Sequence, residues 1–128
     1  MKNILVVESH QKFCYLLSQF LRNNNFHVIE ARNFFIGSYL AKEQYPDLII
    51  CSLEIVEEIG YQTLQKIQDS SITTKVPLIL LTNKPDVSSS LNQIHQLGAD
   101  ILLKKTVGFS RLLEVIKLQL NKDEGFYF

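Results

Sequence analysis

Neither sign of charge is in excess in this sequence: thirteen basic residues balance thirteen acidic ones. A balanced chain has no global field drawing it to nucleic acid or anionic lipid, so any such partner would need a local patch. Cysteine is scarce. Cys14 and Cys51 sit inside apolar segments without metal-ligand spacing, which excludes a disulfide scaffold or zinc site and suggests reduced core thiols in a cytoplasmic protein. Glycine and proline number only five and three, too few for a collagen-like or disordered chain. Long apolar runs are missing as well. Ile4 to Val7 stops at Glu8, too short for a signal-peptide core or a membrane span, so the chain is expected in the cytoplasm.

What is present is a well-mixed globular composition, 46% hydrophobic and 20% charged over 128 residues. That length suits one domain with a real core, expected over residues 1–121 with a tail over 122–128. Ile4-Leu5-Val6-Val7 has the continuous branched pattern of a strand buried on both faces of a parallel sheet. At about 100° per residue, Phe13, Leu16, Leu17, Phe20 and Leu21 form one helical stripe, stopped by Asn23-Asn24-Asn25, a residue type that tolerates left-handed backbone. Phe26 to Ala31 reads as a second strand, Asn33 to Tyr45 as a helix ended by Pro46, and Leu48 to Ser52 as a third strand.

The alternation continues with a helix from Tyr61 to Gln68 after Gly60 and a strand from Val76 to Leu81 entered through Pro77. A Ser-rich helix follows from Asp86 to Leu97, capped by Asp86 and stopped by Gly98. Ile101 to Leu103 forms the last strand and Phe109 to Leu120 the last helix. Five strands alternating with five helices imply right-handed crossovers and a doubly wound α/β sandwich of three layers, (βα)5, around a five-stranded parallel sheet.

Ligands of such a sheet bind at the carboxyl ends of its strands. Those ends carry Glu8, Ser9 and His10; Ser52, Leu53 and Glu54; Thr82 and Asn83; Lys104 and Lys105. With these residues the chain resembles the receiver domain of two-component response regulators, through KNILVVESH, PDLIICSLE, EEIGYQTLQKI, VPLILLTNK and GADILLKKT in that order. The resemblance implies the flavodoxin-like receiver topology. It also implies a pocket in which an acidic pair holds magnesium, an aspartate ending the third strand accepts a phosphoryl group from a histidine kinase, and a hydroxyl and a lysine sense the new charge.

Position by position, Glu8 stands for the first acid, Thr82 for the hydroxyl, Lys105 for the lysine and Gly60 for the glycine before the third helix. Ser9 replaces the second acid, Ser52 the phosphoacceptor, Leu102 a common aromatic switch residue, and Thr106 a proline. Magnesium needs hard oxygen ligands, generally carboxylates with waters. With Glu8 set against Lys105 the pocket counts to zero charge, so an ion pair is expected between them and magnesium is expected to bind weakly or not at all, with Glu8 its one weak candidate ligand. Ser52 is a neutral hydroxyl lacking a base. Glu54, with Glu57 and Glu58 behind it, suggests a solvated acidic loop, and Asp47 begins its strand at the wrong end of the sheet.

The expected role is therefore that of a receiver-like domain that is not phosphorylated. It would serve as a protein-protein interaction or signalling module in a two-component-type pathway, and not as an enzyme. The resemblance implies docking, to a signalling protein or a second copy, through the face made by the Ser-rich helix, the last strand and the last helix. On that last helix Phe109, Leu112, Leu113, Ile116 and Leu120 share a stripe while Val115 and Leu118 fall outside it, which makes those two candidate interface residues. No nucleic-acid or membrane contact is expected, and the terminal Gly125-Phe126-Tyr127-Phe128 is a further candidate contact. One rival is a receiver phosphorylated on an unusual acceptor. Another is a small hydrolase using Ser52 with His10, which lacks the strained Gly-x-Ser-x-Gly turn and an orienting acid. A flavin site would want a glycine-containing, hydroxyl-rich loop where Glu8 to Lys12 stands.

Overall fold

The computed structural model describes residues 1–59, 76–86, 88, 91, 99 and 101–121. Its described elements are β1 (Asn3–Val7), α1 (Gln11–Asn23), β2 (His27–Ala31), α2 (Phe34–Gln44), β3 (Leu48–Ser52), α3 (Leu53–Ile59), β4 (Leu78–Thr82), β5 (Ile101–Lys104), a 3-10 turn (Lys105–Val107) and α4 (Phe109–Leu120). Five strands form one sheet in the order β2-β1-β3-β4-β5, and every neighbouring pair is parallel. After β1 the chain steps to one side to make β2 and then crosses to the other for β3. Strand order therefore reverses between β1 and β3, which opens a crevice above their carboxyl ends.

Alternation along the strands builds two cores. Leu5, Val7, Cys51 and Leu80 face α2 and α3 with Phe34, Ala41, Leu53 and Val56. Ile4, Val6, Ile50, Ile79 and Leu81 face α1 and α4 with Cys14, Leu17, Leu21, Leu112 and Ile116. This is the expected three-layer arrangement. Both cysteines are buried and free, and burial, with the charges of Glu8 and Glu54 nearby, pushes the Cys51 thiol up to about 12.

Local chemistry sets several boundaries where they were expected. Asn25 is left-handed at φ 69°, and the amides of Phe26 and Asn25 reach back to the carbonyls of Leu21 and Arg22 at 3.1 Å each; this is the paired closure of a Schellman motif with asparagine in the strained position. Asn33 caps α2 by accepting the Ile36 amide at 2.9 Å. Asp47 lies at the amino end of the sheet, where its carboxylate accepts the Asn3 amide at 2.7 Å. α2 approaches β1 closely at Gly37, where an added Cβ would stand 2.9 Å from Val7 Cγ2.

Other expectations need correction. The residues after Ser52 form no acidic loop, because the chain enters α3 directly at Leu53. α1 turns Cys14, Leu17, Ser18 and Leu21 to the core, leaving Leu16 45% exposed. Val115 is no surface residue: at 4% exposure it belongs to the core, since α4 faces the sheet through Leu112, Val115, Ile116 and Gln119. The stripe drawn through Phe109, Leu113 and Leu120 follows one flank of that buried face, where Phe109 packs on Phe13 and Phe20 with ring centroids 6.0 and 5.2 Å away. Leu118 does stand out, 65% exposed. The expected helix Tyr61 to Gln68, with Gly60, lies outside the described residues, as do most of the Ser-rich helix and the tail 122–128.

Candidate functional site

Each strand that ends at the crevice delivers one polar side chain into it. β1 delivers Glu8, 3% exposed; β3 ends on Ser52, 3% exposed; β4 ends on Thr82, fully buried. β5 hands over to the 3-10 turn, whose first residue, Lys105, sends its ammonium back over the sheet with its side chain 8% exposed. Four of the five pocket residues expected from sequence are thus buried together. Ser9 remains exposed at the rim.

Glu8 and Lys105 form the expected ion pair, Oε1 to Nζ 2.5 Å. The other carboxylate oxygen of Glu8 accepts the His10 amide at 3.0 Å, and the Lys105 ammonium lies 4.8 Å from the centre of the Phe13 ring. A buried charge pair is tolerable only when its remaining valences are met in this way. His10 is engaged as the cap of α1, its Nδ1 accepting the Phe13 amide at 3.2 Å.

Sequence reasoning misplaced Glu54. Instead of facing solvent in a loop, its carboxylate reaches back over the end of β3. Ser52 Oγ donates to its Oε2 at 2.7 Å. Its Oε1 accepts from Thr82 Oγ1 at 3.2 Å and from the Asn83 amide at 3.0 Å. The Thr82 hydroxyl in turn accepts the Lys84 amide at 3.0 Å, and the Lys84 side chain pairs with Glu57 one helical turn beyond Glu54. Partial burial pushes the Glu54 carboxyl up, but the Ser52 hydroxyl, backbone amides and the field of Lys105 outweigh it and hold the group below the usual carboxylate range. The signal that pointed to Glu54 was its spacing of two from Ser52. Extended backbone would have kept the two on one face; the turn into α3 does so by another route.

The pocket therefore contains two carboxylates and one ammonium, one formal negative charge in place of the neutral count drawn from Glu8 and Lys105 alone. Both oxygens of each carboxylate are already engaged by protein donors. Among the described residues no group of three or more His, Cys, Asp or Glu is placed to hold a metal ion.

A parallel five-stranded sheet in this order, with a carboxylate after β1, a hydroxyl ending β4 and a lysine after β5, defines a receiver-type α/β domain. The chain matches the response regulator receiver domain family over residues 4–117 and belongs to it. The polar-differentiation response regulator DivK of Brucella anthropi is 24% identical over 120 residues, covering 94% of this chain and 97% of that protein. A stretch of "Histidine kinase P4" from Formosa agariphila is 28% identical over 102 residues, 80% of this chain and 7% of that much longer protein. Among solved structures, a CheY-like receiver domain protein from Methanospirillum hungatei superposes with a TM-score of 0.84 at 22% identity, covering 97% of each chain. A receiver modulated diguanylate cyclase from Pelobacter carbinolicus gives 0.77 at 26% identity, over 97% of this chain and 96% of that one. Among the described residues no helix is long and apolar enough to cross a membrane.

Proposed function

We propose that this receiver domain takes no phosphoryl group and acts in the cytoplasm as a protein-interaction or signalling module of a two-component-type pathway, without enzymatic activity of its own. The observation that carries this is the state of Ser52. The residue that ends β3 at the switch point is a neutral hydroxyl already committed as a donor to Glu54 at 2.7 Å.

That contact also gives the rival its best footing, since a carboxylate beside a serine hydroxyl is the arrangement of a base and a nucleophile. Glu54 is poorly suited to the task. Its carboxyl is held below the usual range, and a general base works best with a pKa near the working pH. Phosphoryl transfer also depends on neutralising charge, and here Lys105 is paired with Glu8. Magnesium would have to displace protein donors from Glu8 or Glu54 and find further oxygens in neutral Ser9 and Ser52, so we expect its binding to be weak or absent.

Incubation with acetyl phosphate and magnesium, read by intact mass, should give no gain. Ser52→Asp alone should phosphorylate poorly, because Ser9 still leaves the metal site one acid short. An acid-labile or stable phosphate on the unaltered chain would overturn the proposal. Docking would use the face of β5 and α4 that carries Leu118, with Val115 withdrawn from it by burial. A Leu118→Glu change should weaken self-association or partner capture.

A further inference from the structure

Three donors of different origin converge on one carboxylate in this pocket: the hydroxyl that ends β3, the hydroxyl that ends β4 and the first amide beyond β4. Two of them, Ser52 and Thr82, are at least 97% buried. Buried hydroxyls and amides require acceptors, and removal of an acceptor leaves their desolvation uncompensated. An ionised acceptor makes the stronger bond. We infer that Ser52 Oγ, Thr82 Oγ1 and the Asn83 amide form an anion cradle whose resident ligand is the chain's own Glu54, a self-occupied site for a carboxylate that an outside acidic group enters only when Glu54 leaves.

The occupant is assigned by geometry. Glu54 uses both oxygens, one on β3 and one on β4, and so ties the carboxyl ends of adjacent strands together across the crevice. Thr82 is fixed from two sides, donating to Glu54 and accepting from the Lys84 amide. The contact is part of the surface on one side only: Glu54 is half-buried and Asn83 exposed, so truncation of the glutamate opens the cradle to solvent. The ligand class is a small carboxylate or an acidic side chain. This inference rests on the proposed status of Ser52 as a donor and not an acceptor of phosphate, and its test is independent of any phosphodonor.

The experiment compares backbone amide spectra of the unaltered chain, Glu54→Ala and Glu54→Gln, each titrated with sodium acetate against sodium chloride at equal ionic strength. In Glu54→Ala the Asn83 and Lys84 amides should shift, and the Asn83 amide should exchange about tenfold faster or more, as expected for loss of one charge-assisted bond. Acetate should return both resonances saturably toward their original positions and raise the melting temperature. The unaltered chain should not respond, and Glu54→Ala with Thr82→Val should lose the effect. If Glu54→Ala does not fold, Glu54→Gln keeps the shape and removes the charge, and its Asn83 amide should still shift and exchange faster. Unchanged Asn83 and Lys84 amides in the folded variants, or an acetate response equal to that of chloride, would overturn the inference. A mass gain from acetyl phosphate would instead overturn the proposed function and leave the acetate result standing.

Discussion

Replacement of Lys105 by methionine strikes the most buried charges of the pocket. Methionine retains the apolar stem and removes the ammonium, so Glu8, with its side chain 4% exposed, keeps a carboxylate whose remaining donor among the described residues is the His10 amide. At the observed contact of 2.5 Å the gross attraction of the pair is about 7 kcal/mol for an effective dielectric of about 20, and desolvation of both ions cancels much of it. The variant loses that attraction and keeps the desolvation of Glu8, so destabilisation of about 3–5 kcal/mol is expected, a large part of a typical domain's stability of about 5–15 kcal/mol. Glu8→Gln should cost less, about 2 kcal/mol, because the stranded ammonium retains the Phe13 ring face and a side-chain amide oxygen as partners. With both changes neither charge of this pair remains, and the double variant should be more stable than Lys105→Met alone. Urea unfolding of the four proteins at constant slope would give the coupling. Additive single costs would refute the coupling of these two groups.

Three further outcomes follow from the packing and the site. Val115→Ala should lower stability by about 2 kcal/mol, or roughly 8 °C in melting temperature, whereas Leu118→Ala should stay within about 0.5 kcal/mol; thermal unfolding separates them, and equal effects would contradict the orientation of α4. Gly37→Ala should destabilise by about 1–3 kcal/mol despite alanine's higher helix propensity, because its methyl group meets Val7; a stabilised variant would show that α2 yields without cost. The folded pKa of Glu54 is depressed, so its contribution is fully present above the usual glutamate value and is lost as pH falls through the lower folded one. The stability difference between the unaltered chain and Glu54→Gln should therefore be flat near neutrality and shrink in acid, and a difference that grew on acidification would reverse the assigned sign.

The sequence by itself determined the layered architecture and most of the pocket. Continuous branched runs such as Ile4 to Val7 and Leu48 to Ser52 are legible because a strand buried on both faces tolerates nothing else. The strand ends are legible in turn because a parallel sheet must present them at one edge. Glu8, Ser52 and Thr82 each stand directly after an apolar run and Lys105 one residue further, behind Lys104; the resemblance to receiver domains singled them out among the strand-end residues, and the pairing of Glu8 with Lys105 followed from their charges. Only the tertiary structure decided the rest. Val115 was misassigned because the buried face of a helix is chosen by how it lies on the sheet, and α4 offered two overlapping apolar faces of which the sheet covers one. Glu54 was misassigned because its direction depends on an immediate turn from β3 into α3, and its partners Thr82 and Asn83 are 28 and 29 residues away in sequence. A local pattern records what each residue can bury, but only the folded chain sets which donors lie within reach of a carboxylate.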